Sequence, residues 1–272
     1  MAERKLIIAL CMACALLVSA FVAQSASATT IQQGTTAFTC SESATTKSWS
    51  NAHCNGTVTT KTFGHVKIAP ETTTELSGAS GTSKPVQKLK ATINGIATEL
   101  TTETITGTGT MENKVSGEEM WAEGSGTITY TGVTVAKPAG ASCVVSTDNA
   151  GAPGEAGVIH TSALTATTKG QGDNLKFTPT TGTVFATFIL SGCKGSAALE
   201  GLNGTYTVNG SVLGQPNGGE TVFTHTTTTE PETLLINNSI KAGIDGSLTI
   251  QSRANSTDTY KAVTATTPPY TE

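Results

Sequence analysis

Apolar and polar positions alternate with a period of two through most of the chain, which is the pattern of half-buried strands rather than helices. The clearest stretch runs from Gly157 to Cys193 and predicts three consecutive antiparallel strands. Val158–Lys169 comes first. Leu175–Thr178 follows the turn Gly170-Gln171-Gly172-Asp173-Asn174, and Val184–Leu190 follows Pro179-Thr180-Thr181-Gly182. Gly, Asn, Asp and Pro fall where a reversal needs a positive or pre-set φ. Both alternating faces of Val184–Leu190 are largely apolar, so this run is expected as a central strand covered on both sides.

Upstream, Ala37-Phe38-Thr39-Cys40 opens an excursion that closes at Ala52-His53-Cys54 around Trp49. Lys88–Met111 reads as one long strand or a pair, with Ile93, Ile96 and Leu100 as core candidates. Within it Thr102, Thr104, Thr106, Thr108 and Thr110 fall at period two, opposite Glu103, Ile105, Gly107, Gly109 and Met111. Such a row of hydroxyls and methyls is either a solvated strand face or a surface for ice, mineral or glycan; a single row favours the solvated face. Glu118–Lys137 reads as a hairpin of Glu119–Ala122, a turn at Gly124-Ser125-Gly126, and Thr127–Val135. Apolar residues occupy 128 and 130, then 133 and 135, and this slip of phase predicts a β-bulge at Gly132. Lys137-Pro138-Ala139-Gly140 is a candidate lobe boundary, and Asp148–Gly157 reads as a loop. Leu202–Val208, Ser211–Leu213, Thr221–Thr229, Leu234–Ile236, Ile240–Ile250 and Thr259–Thr264 complete the set. The pattern predicts an all-β antiparallel sandwich or partly closed β-barrel of roughly a dozen strands, with residues 29–272 as a single domain.

Composition changes this picture in two places. Leu, Ile, Val and Phe together make only about a fifth of the 272 residues, and threonine alone makes about another fifth. A thin core would suggest disorder, but disorder also needs high net charge, and here that is only −4 with 13% charged residues. The core is therefore expected to draw on alanine and threonine methyls. No basic patch of any length occurs, which argues against nucleic acid as a partner. Met1–Ala28 has the form of a signal peptide. Arg4 and Lys5 precede the apolar run Leu6–Ala23, and Ala26-Ser27-Ala28 forms a small-residue cleavage site before Thr29. Sec-type export to a secreted or cell-surface location follows, with membrane contact only through an uncleaved signal segment. The four cysteines beyond it, Cys40, Cys54, Cys143 and Cys193, are expected to form disulfides. Of three pairings, spacing favours Cys40 with Cys54 and Cys143 with Cys193.

Several of these segments carry a resemblance. Ala37-Phe38-Thr39-Cys40 with Ala52-His53-Cys54, Gly126-Thr127-Ile128-Thr129-Tyr130-Thr131-Gly132-Val133, Gly192-Cys193 and Leu202-Asn203-Gly204-Thr205-Tyr206 are similar to segments of a group of uncharacterised, exported, threonine-rich proteins of actinobacteria. The resemblance spans most of the chain beyond residue 28. It implies export and an all-β fold, and carries no activity.

Candidate chemistry is sparse. The nucleophile-elbow pentapeptide, the H-E-x-x-H helix, the P-loop and the dinucleotide fingerprint are all absent from the sequence. His53, His65, His160 and His225 stand singly, and His53 beside Cys54 lacks the ligand spacing of a zinc site. Asp148–Glu155 lacks the alternating acidic ligands of a calcium loop. These observations point to a non-catalytic exported or cell-surface protein, structural or ligand-binding, with no cofactor or metal and with a wall or extracellular polymer as its partner. One alternative is an extracellular carbohydrate-active hydrolase using Glu118, Glu119 or Glu123. Adjacent Glu118 and Glu119 point to opposite strand faces, and Glu123 shares the Glu119 face only if the strand runs unbroken. The other is a carrier of a small apolar ligand, if a barrel closes around a cavity.

Overall fold

A computed structural model describes residues 32–33, 35–54, 60–117, 119–224 and 234–266. The signal segment with its cleavage site, Glu118 and His225 therefore lie outside the described residues. Residues from Gln33 onward form one compact unit. Its strands are short and numerous. In chain order they are β1 (Gln32–Gln33), β2 (Thr36–Ser41), β3 (Gly64–Lys67), β4 (Thr74–Ser80), β5 (Lys88–Ile93), β6 (Ile96–Thr101) and β7 (Thr104–Ser116). Next come β8 (Glu119–Thr131), β9 (Thr134–Lys137), β10 (Val144–Asn149), β11 (Ala152–Ala156), β12 (Val158–His160), β13 (Leu164–Thr167), β14 (Leu175–Pro179) and β15 (Val184–Ser191). One helical turn, α1 (Ala197–Glu200), precedes β16 (Gly204–Asn209), β17 (Val212–Asn217), β18 (Glu220–Thr224), β19 (Leu234–Ile236), β20 (Ile240–Arg253) and β21 (Lys261–Thr266).

Eight strands close a ring in the order β4–β7–β8–β13–β14–β17–β18–β20 and back to β4, every pair antiparallel. The fold is thus all-β with a closed barrel, and its strands exceed a dozen. The excess arises because runs that alternate without interruption in sequence are broken by bends. Val158–Lys169 becomes β12 and β13, since Thr161 still bonds Ile128 of β8 while Ser162 turns to donate to Phe185. Lys88–Met111 becomes β5, β6 and part of β7, with Asn94 and Gly95 at φ 49° and 79° making the tight reversal.

A second curved sheet runs β11–β10–β15–β16–β19–β20–β5–β6–β9. Gly157 bridges its flanks, accepting from Val133 N–H at 2.9 Å and donating to the Val145 carbonyl at 2.7 Å. β20 belongs to both assemblies. Its first half pairs with β19 and β5, its second half with β18 and β4. β15 is buried on both faces as its pattern predicts, and Phe188 stacks on Tyr206 with ring centroids 5.4 Å apart.

Three local expectations are corrected. The strands of the 157–193 stretch are not three consecutive neighbours: β14 pairs with β13 and β17, while β15 pairs with β10 and β16. The turn after Pro179 carries the chain from barrel to second sheet, because Leu175 and Phe177 bury one face only whereas β15 needs cover on two. Gly124-Ser125-Gly126 is not a turn; it lies inside the unbroken thirteen-residue β8, whose hairpin partner is β7. The phase slip at Gly132 is a corner, not a bulge. Gly132 has φ 64°, β8 ends before it, and β9 leaves to pair with β6, which lets Val133 and Val135 pack on the core.

A small sheet, β3–β2–β21, joins β20 through β21 and packs Ala37, Ile68 and Val263 against Met111 and Ala122 of the barrel. Disulfides link Cys40 to Cys54 beside this sheet and Cys143 to Cys193 at the end of the β10–β15 pair. The small sheet hangs on Asn113, which is fully buried. Its carboxamide accepts from Ala37 N–H at 2.8 Å and donates to the carbonyls of Ala37 at 3.0 Å and Ile68 at 2.7 Å. Asn113→Leu removes all three bonds and strands the Ala37 N–H in an apolar setting, so it should cost about 3 kcal/mol. Urea unfolding measures this, and a loss below about 1 kcal/mol would show that the small sheet docks by other means.

Candidate functional site

The β7–β8 pair builds the most regular surface of the molecule. Its register holds for thirteen residue pairs, from Thr104 opposite Thr131 to Ser116 opposite Glu119. Alternation then sends Ile105, Gly107, Gly109 and Met111 toward the barrel interior and Thr104, Thr106, Thr108 and Thr110 outward. On β8 the outward partners are Thr131, Thr129, Thr127 and Ser125. Two columns of four hydroxyl side chains therefore stand side by side, about 4.8 Å apart across the strands and about 6.8 Å apart along them. Thr104, Thr106, Thr108, Thr110, Ser125 and Thr127 are exposed, and Thr129 and Thr131 half-buried. Neighbouring strands extend the plane: Ser77 of β4 lies opposite Thr108, Thr165 of β13 opposite Ser125, and His160 of β12 opposite Thr129.

Half of these eight hydroxyls are engaged within the protein, Thr131 Oγ1 by a long bond of 3.5 Å to the Thr104 carbonyl. Thr110 and Ser125 share a long bond of 3.4 Å, and Thr129 Oγ1 lies 2.9 Å from His160 Nδ1. Among the described residues, Thr106, Thr108 and Thr127 make no side-chain hydrogen bond. Thr102, expected in the same row, is instead turned in and buried, its hydroxyl donating to the Thr131 carbonyl at 2.7 Å. Charge collects at one end of the face. Glu75 lies opposite Thr110 and pairs with Arg253 at 2.7 Å, and Glu112 lies opposite Glu123 and holds Lys114 at 2.7 Å. The hydrogen bond from Glu112 raises the pKa of the Lys114 ammonium.

Beneath the middle of the columns four inward positions, Gly107, Gly109, Gly124 and Gly126, are glycine. A Cβ at Gly109 would overlap the Ser125 carbonyl oxygen, and one at Gly126 the Thr108 carbonyl oxygen, so only glycine allows the two strands to approach as they do. An apolar cavity of about 70 Å³ remains under them, walled by Leu76, Ile128, Leu164, Phe177 and Leu248. A second, of about 60 Å³, lies among Leu100, Val133, Phe185, Phe188 and Val208.

Of the carboxylates considered for hydrolysis, the two among the described residues, Glu119 and Glu123, fall on this outer wall. Because β8 is unbroken, Glu119 and Glu123 do share a face, with Trp121 between them. Glu119 is exposed, 3.9 Å from Lys169, and Glu123 accepts from Trp121 Nε1 at 3.3 Å while Lys169 covers the indole ring. The carboxylates whose ionisation is displaced lie elsewhere, and all are displaced downward, opposite to what a general acid needs. Burial pushes Glu99 up, but Lys88 and Lys137 outweigh it; Lys84 and Lys90 do the same for Asp245. Glu220 is buried, which opposes its charge, yet bonds from Ser83 and Thr82 hold it down at about 2.

His160 stands on the hydroxyl face, while His65 stacks on Trp49 with centroids 4.2 Å apart, and burial lowers its pKa to about 4. Asp148 caps its own hairpin by accepting from Gly151 N–H at 2.7 Å. Among the described residues no group of three or more His, Cys, Asp or Glu is placed to hold a metal ion, and no helix is long and apolar enough to cross a membrane. The disulfides are bonds of an oxidising compartment. No protein-family model, curated protein or solved structure matches the chain.

Glu220 makes acid stability a test of the interior. Its folded pKa lies below the unfolded value, so its contribution is complete above about pH 4.5 and is lost as the pH falls toward 2. Glu220→Gln should be less stable than the native chain by about 3 kcal/mol at pH 7, with the gap closing across that window. Denaturant titrations between pH 7 and pH 2 measure it, and a gap that does not change with pH would contradict the assignment.

Proposed function

We propose that this is a non-catalytic exported protein that works by surface contact, and that the outward face of β7 and β8 is its binding surface for an extended, repetitive extracellular partner such as a wall or extracellular polymer. The observation that carries this is the register-matched double column of exposed hydroxyls. Threonine is stiff at χ1, so such a face holds its hydroxyls and methyls in place at little entropic cost. Single contacts on it are weak, and many in register add up only against a partner that itself repeats. Export through Met1–Ala28 and the two disulfides fit a protein working outside the cytoplasm.

The test uses the exported chain purified from medium and offered to an isolated wall fraction, insoluble chitin and cellulose, ice, and chromogenic glycosides. Retention on at least one repetitive solid without turnover is expected, and Thr106→Lys and Thr127→Lys should each reduce it at least tenfold. Turnover that disappears in Glu119→Gln or Glu123→Gln would overturn the proposal in favour of a glycosidase.

A further inference from the structure

We infer that the cavity inside the second sheet is a binding site for a small, uncharged, mostly apolar molecule with one hydrogen-bonding oxygen, such as a short-chain ketone or alcohol. This site is separate from the contact face and does not depend on it. The second sheet, from β11 to β9, curls until Gly157 joins its two flanks. Apolar residues of its concave side make up the main core, and that core leaves a space of about 60 Å³. At about 10–15 Å³ for each water-sized probe, there is room for roughly four to six non-hydrogen atoms.

One polar group is aimed into this space and left unbonded. Most of the wall is hydrocarbon, with Leu100, Val133, Phe185, Phe188 and Val208 all buried, and β8 adds Tyr130. Tyr130 stands opposite Ile105 and Ile159, both buried, so its ring points inward. Burial raises the pKa of its phenol, and the part of the ring that stays uncovered is therefore surface of the cavity. Among the described residues none forms a hydrogen bond with its hydroxyl. Tyr206, in the same core, shows the usual arrangement: its hydroxyl donates to the Leu202 carbonyl at 2.7 Å. A buried phenol ordinarily finds such a partner, because otherwise it loses its bonds to water and gains none. Gln87 lines the same cavity. Its carboxamide donates to the Ser247 carbonyl at 3.0 Å, and among the described residues nothing donates to its own carbonyl oxygen. Two polar groups with unused capacity in an otherwise apolar wall are the make-up of a small-molecule site.

The neighbours of the cavity define the ligand. The remaining polar residues on its wall are already engaged: Thr101 Oγ1 with Thr134 at 3.2 Å, and Thr102 with the Thr131 carbonyl at 2.7 Å. Lys88 is held by Glu99 at 3.0 Å, so a charged ligand would enter without a free counter-charge. Water fits the space poorly, since a buried water makes about three hydrogen bonds and most of this wall offers none. A molecule that brings one oxygen to Tyr130 and sets hydrocarbon against the leucine, valine and phenylalanine side chains satisfies both parts of the wall.

Methyl NMR of the full exported chain, titrated with butanone, tests this. Saturable shifts are expected at Leu100, Val133 and Val208, and butyrate at pH 7 should produce none there. Tyr130→Phe should weaken butanone binding about tenfold, the loss of one hydrogen bond made in the interior. Without butanone the same variant should melt no lower than the native chain, because no bond within the fold is lost. Ala186→Val, which fills part of the space, should weaken binding as well, and the phenylalanine variant carries the test if the valine variant does not fold. No saturable shift at the three methyl-bearing residues would overturn the site. Binding indifferent to Tyr130→Phe would overturn the ligand class, and a clear fall in melting temperature in that variant alone would show a phenol that serves the fold. Retention on solids should be the same in all these chains, so the contact face and the cavity fail separately.

Discussion

The unbroken antiparallel register between β7 and β8 is the constraint on which the rest depends. Strand side chains alternate with a period of two, so a one-residue slip of either strand would send its two inward glycines outward and its column of hydroxyls into the core. The register is secured at both ends. At one, buried Thr102 ties its hydroxyl to the Thr131 carbonyl and Ile105 fills the interior. At the other, Asn113 fastens the strand to β2 and to Ile68, and Val115 N–H donates to Glu71 at 2.8 Å. Between them the strands approach closely over glycine, and little but backbone pairing holds the middle. Outward regularity and inward emptiness are two consequences of one alignment.

The two curved sheets stay together because β20 changes partners without leaving either. At Gly246 and Ser247 it passes from β5 to β4, and the residue 81–87 segment crosses there to supply the bonds that neither strand makes. Ser247 is bonded by Gly81, Lys84 and Gln87, and Gly246 leaves room for the Gln87 side chain. Glu220 anchors the same segment from β18 through Thr82 and Ser83. A buried carboxylate is costly unless its acceptors are filled, and here three donors fill them. The charge thus ties a loop to the waist of the molecule, which accounts for its low pKa without any catalytic role.

Much of this was legible in the sequence, and what was not has physical reasons. Alternation showed the strands, and the doubly apolar run of β15 showed a central strand, because both depend on neighbours along the chain. The threonine row of β7 was visible for the same reason. Its twin on β8 was not, because Gly124-Ser125-Gly126 has the composition of a turn, and the other use of glycine here, leaving room for the carbonyl oxygen of the paired strand where a Cβ would strike it, depends on a neighbour that local pattern does not show. The departure of β14 from β15 is a matter of non-local pairing, on which local pattern is silent. Asn113 sits among Glu112, Lys114 and Val115 and looks like any polar residue of an exposed strand. Its burial follows from β2 and the segment around Ile68, which are distant in sequence.

Disulfide trapping across the ribbon tests the register most directly. Residues directly opposite in an antiparallel pair have Cα atoms about 4.5–5.5 Å apart, within reach of a disulfide, whereas diagonal neighbours lie about 7–8 Å apart and beyond it. In chains with two added cysteines, oxidation followed by peptide mapping should link Thr108→Cys to Thr127→Cys readily, and should leave Thr108→Cys with Thr129→Cys reduced. Linkage of the second pair in preference to the first would mean that the columns are not aligned, and the hydroxyl face as described would not exist.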